Sequence, residues 1–143
     1  DVVLKLICNK VSPEKSHKNI KHYRETIQRK QAYMIDEYCY ISRFGLKLTP
    51  WSAWDRRSEQ KPIWWNSYND VKHHRDRDFA KANLRNVLDA MAGLAIANLY
   101  LQRQYTTFPA TSIGHLSRVA LQLSPQTSLF RFNPDYYCSI PGN

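Results

Sequence analysis

Residues 78–105, DFAKANLRNVLDAMAGLAIANLYLQRQY, carry the clearest hydrophobic periodicity in the chain and constrain everything around them. Phe79, Ala80, Leu84, Val87, Leu88, Met91, Leu94, Ala95, Asn98 and Leu101 recur at steps of three and four, the period of a helix with one apolar face. Asp78 is the expected N-cap. Ala90, Ala92, Gly93, Ala95 and Ala97 would let a second helix approach closely. The apolar run MAGLAIANLYL (91–101) is too short to cross a bilayer and runs into Arg103, so it predicts a buried central helix and no membrane span. A central helix needs other helices to cover it.

Two segments offer them. Ser12, Pro13 and Glu14 read as N-cap, first helical position and a dipole-favoured acid, opening a long helix whose apolar positions Ile20, Tyr23, Ile27, Met34, Tyr38 and Ile41 lead to a stop at Gly45. Lys18, Lys21, Arg29 and Lys30 occupy its outer surface. Pro62 then suits the first turn of a helix running to about residue 76, with Trp64, Tyr68, Val71 and Arg75 on the inward stripe. Between them, residues 46–62 read as an ordered connection anchored by Trp51 and Trp54, with a base-stacking platform as the functional alternative. Past Tyr105 the character changes: a short helix or strand near 113–123 and then extended chain. The expectation is an all-α, up-and-down bundle forming one domain over 1–143, with a less regular C-terminal extension at 106–143.

Composition narrows the function classes. A length of 143 residues with 43% hydrophobic and 23% charged residues fits one folded domain. Cys8, Cys39 and Cys138 are odd in number and far apart, which predicts free, mostly buried thiols and a reducing, cytoplasmic setting. The opening DVVLKLICNK does not read as a secretion signal. No Cys/His spacing suits zinc, and four glycines form no phosphate loop, so no metal and no cofactor is expected. The net charge of +9 makes polyanions natural partners. Residues 1–30 hold eight Lys/Arg against three Asp/Glu, so the excess sits at the front. Lys18 and Lys21 are therefore candidate RNA contacts, against the simpler reading of a solvated basic face.

The stretch WWNSYNDVKHHRDRDF (64–79) puts core-formers and acid-base groups in the same few turns. On a helix, Trp65, Asn69, Lys72, His73 and Asp76 form a stripe beside the inward one, at the edge of the core. There an imidazole can be oriented and still reach a ligand. The structural alternative has Asn69 and His73 bonding to neighbouring helix ends, and His74, Arg75, Asp76, Arg77 and Asp78 forming a salt-bridged surface.

The segment WWNSYNDVKHHRDRDFAKANLRNVLDAMAGLAIANLYL resembles the helical core of HEPN-like domains, in which a short N-x-x-K-H or R-N-x-x-x-H element precedes a long apolar helix. The resemblance covers about residues 62–105. It implies an all-α bundle, often a homodimer, and in many members a metal-independent ribonuclease of toxin-antitoxin, abortive-infection or other defence systems; other members act as binding or scaffold modules. Matching His73 to the family's histidine puts Asn69 at its polar position and Tyr68 where active members carry arginine. On this alignment His73 is the acid-base group and Asn69 its orienter or a phosphate ligand. Lys72 or Arg77 stands in for the missing charge, and Tyr68, His74 and Arg75 contact RNA. The alternative is a non-catalytic module whose aromatic face meets a protein partner or antitoxin.

Overall fold

The computed structural model describes residues 1–55, 60–105, 117–120, 129–134 and 136. The chain is mostly helical, with a small antiparallel sheet that the all-α expectation lacked. Helix α1 (Val2–Val11) was not anticipated; its Leu4, Ile7 and Cys8, at steps of three and one, are buried, and the helix packs against residues 84–103. The long helix expected from Ser12 to Gly45 is three separate elements. The Ser12 hydroxyl bonds the Glu14 carboxylate in a turn after α1, and Asn19 is the cap that starts α2 (Ile20–Lys30), accepting from the backbone of Lys21 and His22. Its side chain satisfies two N–H groups that Ser12, seven residues upstream, cannot reach.

After the single turn α3 (Tyr33–Asp36), the chain becomes a hairpin of β1 (Cys39–Ile41) and β2 (Leu46–Leu48). Cys39 pairs with Leu48 and Ile41 with Leu46. The local sequence alternates buried Cys39 and Ile41 around half-buried Tyr40, a strand pattern that the three-to-four-residue reading overrode. Gly45, expected as a helix stop, is the left-handed residue (φ 60°) that closes the hairpin turn. Strand β3 (Arg131–Phe132) pairs with the other edge of β1.

The second half holds α4 (Ile63–His73), the single turn α5 (Arg75–Asp78) and α6 (Leu84–Arg103). The helix expected to reach residue 76 ends at His73, where His74 leaves helical geometry. The expected cap of α6, Asp78, is instead held by Arg77 and Lys81, and Asn83 caps α6 by accepting from the backbone of Asn86 at 3.0 Å. Residues 117–120 are helical, with Val119 and Ala120 buried, inside the range expected to hold a short element.

The core is built on small residues of α6 and on indole rings. Ala92, Gly93 and Ala97 are buried, and a Cβ added at Gly93 would stand 3.0 Å from Trp64 and 3.5 Å from Trp51. Trp51 donates to the Gly93 carbonyl at 3.1 Å and Trp64 to that of Pro50 at 2.8 Å. Trp51 and Trp54 are almost wholly buried, so the connection does pack across the helices and neither ring can stack on a base. Cys8 and Cys39 are free and buried, and burial pushes both thiols up to about 12. Cys138 lies outside the described residues. No described helix is long and apolar enough to cross a membrane.

Glu37 is 5% exposed and accepts from the hydroxyls of Tyr136 and Tyr100 and from the backbone of Tyr38. Loss of hydration dominates and raises its carboxyl pKa above the ordinary glutamate value, although all three hydrogen bonds pull the other way. A raised carboxyl pKa contributes stability below the unfolded value and loses it as pH rises through the folded value. Relative to Glu37→Gln, the wild-type chain should therefore lose stability as pH rises from about 4.3. Urea unfolding of the two proteins across acid to neutral pH reads that difference; a flat difference refutes it.

Candidate functional site

Helix α4 and the turn α5 set out the residues of the WWNSYNDVKHHRDRDF stretch on two arcs. Tyr68, Val71, Lys72 and Arg75, at steps of three, one and three, line an open cleft of about 400 Å³ together with Phe79 and Ala82. Tyr68 was expected to face inward with Trp64 and Val71 but is 62% exposed, and Arg75 is exposed as well. The buried position on α4 is Ser67, with Trp64 and Trp65 half-buried beside it. Large rings on this helix are split because the Gly93 side of α6 accommodates Trp64 edge-on, leaving the next turn to solvent.

Asn69 and His73 occupy the neighbouring arc and do not line the cleft. The Asn69 amide donates back to the Trp65 carbonyl at 2.9 Å, so its orientation is set within α4. His73 is exposed at the last turn, next to Lys72. His74 acts through its backbone: its N–H bonds Asp70 and its carbonyl accepts from Arg77 and Asp78, which turns the chain into α5.

Beyond that turn lies a small ion-pair network. Lys81 reaches Asp70 at 2.7 Å and Asp78 at 3.0 Å, and Arg77 donates to Asp78 at 3.1 Å. The Lys81 ammonium, with Arg77 behind it, holds the Asp78 carboxyl below its ordinary value. This part of the salt-bridged surface expected from the charge alternation is present. Arg77 is thereby engaged, and the cations that share the cleft with Tyr68 are Lys72 and Arg75. A cleft with two exposed rings, Tyr68 and Phe79, and two cations can stack an unpaired base and take phosphates on either side.

Lys18 and Lys21 are exposed at the start of α2. Lys18 stands alone among the candidate residues, whereas Lys21 lines a second cavity, of about 160 Å³, with Ile20, Arg24, Trp54, Gln60 and Lys61. Among the described residues, Arg24 Nε and Trp54 Nε1 are buried with no hydrogen-bond partner, shut off behind the accessible surface of this wall. A buried donor without an acceptor costs ~1–3 kcal/mol. Sequence reasoning missed Arg24 and Lys61 here; the only signal was the basic front end, because the wall joins α2 to residues thirty or more positions later.

Among the described residues, no group of three or more His, Cys, Asp or Glu side chains is placed to hold a metal ion. No family model, no curated protein and no solved structure matches the chain.

Proposed function

We propose that the chain is a HEPN-like helical protein that binds single-stranded RNA along the exposed side of α4, with His73 carrying proton transfer in a metal-independent cleavage. The observation that supports it most is the cleft: a tyrosine ring 62% exposed, with Lys72 one turn along α4 and Arg75 brought alongside from α5. The ring offers a π-face to any base, and the cations can neutralise flanking phosphates. With Tyr68 where the family carries arginine, charge must come from Lys72 and Arg75. His73, one residue beyond Lys72, would take the proton of an attacking 2′-hydroxyl or return one to the leaving oxygen. A cytoplasmic defence or toxin-antitoxin role belongs to the same proposal.

Binding of a fluorescent single-stranded RNA as a function of salt tests it. Lys72→Ala and Arg75→Ala should each flatten the dependence of log K on log salt by about one unit, and Tyr68→Ala should cost ~1–3 kcal/mol with the slope unchanged. Affinity and slope indifferent to all three changes would end the reading.

A different observation favours a helical interaction surface as the second reading. Leu84, Val87, Met91 and Leu94, expected to face the core, are 72%, 47%, 46% and 54% exposed. The buried face of α6 is the one carrying Ala92, Gly93, Ile96 and Leu99, because only small residues let the indoles approach. The outward strip is spaced three-four-three, the seam of paired helices, and a second copy of α6 would cover it. Sedimentation equilibrium should show a dimer that Leu84→Asp with Met91→Asp converts to monomer. A wild-type monomer at tens of micromolar would refute pairing with itself and leave an antitoxin or other protein partner as the occupant.

A further inference from the structure

The α4 cleft has a second wall. Tyr68, Val71 and Lys72 belong to α4, whereas Arg75 comes from α5, Phe79 opens the short 3-10 turn Phe79–Lys81, and Ala82 follows it. Phe79 is 63% exposed, as open as Tyr68, and among the described residues neither ring touches another aromatic ring. The chain turns between the walls at His74, whose φ of −140° and ψ of 55° leave helical geometry. The backbone bonds at that corner, from His74 N–H to Asp70 and from Asp78 N–H to His74, both 2.8 Å, fix α5 and stop short of Phe79. Among the described residues, the one hydrogen-bonded tie between a side chain of the 3-10 turn and one of α4 is Lys81 Nζ to Asp70, at 2.7 Å. Neither of those two residues lines the cleft.

On the RNA reading of this cleft, we propose that Phe79 is the second stacking face of a clamp for an unpaired nucleobase, and that Lys81 is a positioning residue that holds it there through Asp70. The cleft volume of about 400 Å³ falls within the ~300–1,000 Å³ of sites that take small molecules. Its charge selects a nucleotide over an apolar side chain. The walls that carry the rings also carry Lys72 and Arg75, and among the described residues neither cation is paired with a carboxylate. Phosphates flanking a stacked base answer both charges. Base edges go almost unread: apart from the Tyr68 hydroxyl, no lining side chain carries an acceptor for the amino group of adenine or cytosine. The clamp therefore takes unpaired bases of RNA and DNA alike, because every base has a π-face.

The test measures binding of fluorescent oligo(A), oligo(U) and oligo(dT) to the full chain, with urea unfolding of every variant to show that it is folded. The three should bind within about tenfold of one another. Phe79→Ala should weaken each about tenfold or more, and Phe79→Tyr, which keeps a ring, should not. Asp70→Asn reads the positioning role. It makes the chain more positive, so charge alone would tighten binding, whereas loss of the tie to Lys81 should weaken it about threefold. Lys81→Met should weaken binding as well, and adding Asp70→Asn to it should cost nothing more, because the tie is already gone. Oligonucleotide binding that depends on Lys72 and Arg75 but ignores Phe79→Ala, or that tightens in Asp70→Asn, overturns the clamp and leaves the RNA reading standing. A preference of a hundredfold or more for one of the three oligonucleotides also overturns it, since base edges or the sugar would then be read. No binding of any oligonucleotide ends both the clamp and the RNA reading, and makes the exposed rings a surface for a protein partner.

Discussion

His73→Ala is expected to lower RNA cleavage by a factor of about 10²–10⁴, the usual contribution of a positioned acid-base group. Binding should survive, because Tyr68, Lys72 and Arg75 remain in the cleft. Thermal stability should also survive: His73 is exposed at the last turn of α4, and surface changes of this kind shift stability within about 0.5 kcal/mol. The measurement is fragment formation from single-stranded RNA by the wild-type and variant chains, each with and without a chelator. Undiminished cleavage in the variant, or cleavage that stops when divalent ions are removed, would sink the assignment of His73. A wild-type chain that binds RNA and yields no fragments would place it among the binding members of the family it resembles.

The second large effect concerns the fold. Gly93→Val is expected to cost about 3 kcal/mol, at the upper end of the range for overpacked cores. The first added carbon already meets Trp64 Cζ2 at 3.0 Å, Pro50 Cβ at 3.4 Å and Trp51 Cζ2 at 3.5 Å, and valine adds two γ carbons beyond it. Neither indole swings away cheaply. Trp64 is tied to the Pro50 carbonyl and Trp51 to the carbonyl of Gly93 itself. The better helix propensity of valine returns only a few tenths of a kcal/mol. Urea unfolding should show a lower midpoint with little change in slope; an unchanged midpoint would mean that the tryptophan cluster repacks freely. The same displacement would disturb α4 at Trp64, one turn before Tyr68, so RNA affinity should fall along with stability.

Sequence alone determined two of the helices and the burial of two indoles. The helical period of residues 84–103 and of 63–73 was legible because each has enough apolar residues for one face, and the burial of Trp51 and Trp54 followed from the area of their rings. The stops and caps were half-legible. Gly45 was recognised as a breaker but assigned to the wrong element, since a left-handed residue ends a helix and closes a hairpin equally well. Asp78 was a sound cap by its chemistry, and only the fold brought Lys81 and Arg77 to claim it. Tertiary structure also decided which face of α6 is inside. Both faces are apolar, and the indoles select the one with glycine and alanine because large rings need close backbone approach, which sends Leu84, Val87, Met91 and Leu94 outward. The same choice turned Tyr68 to solvent and set Lys72 and Arg75 beside it, apart from Asn69 and His73. The cavity lined by Lys21, Arg24, Trp54 and Lys61 could not be read from any local pattern, because its walls come together only when α2 packs beside the approach to α4.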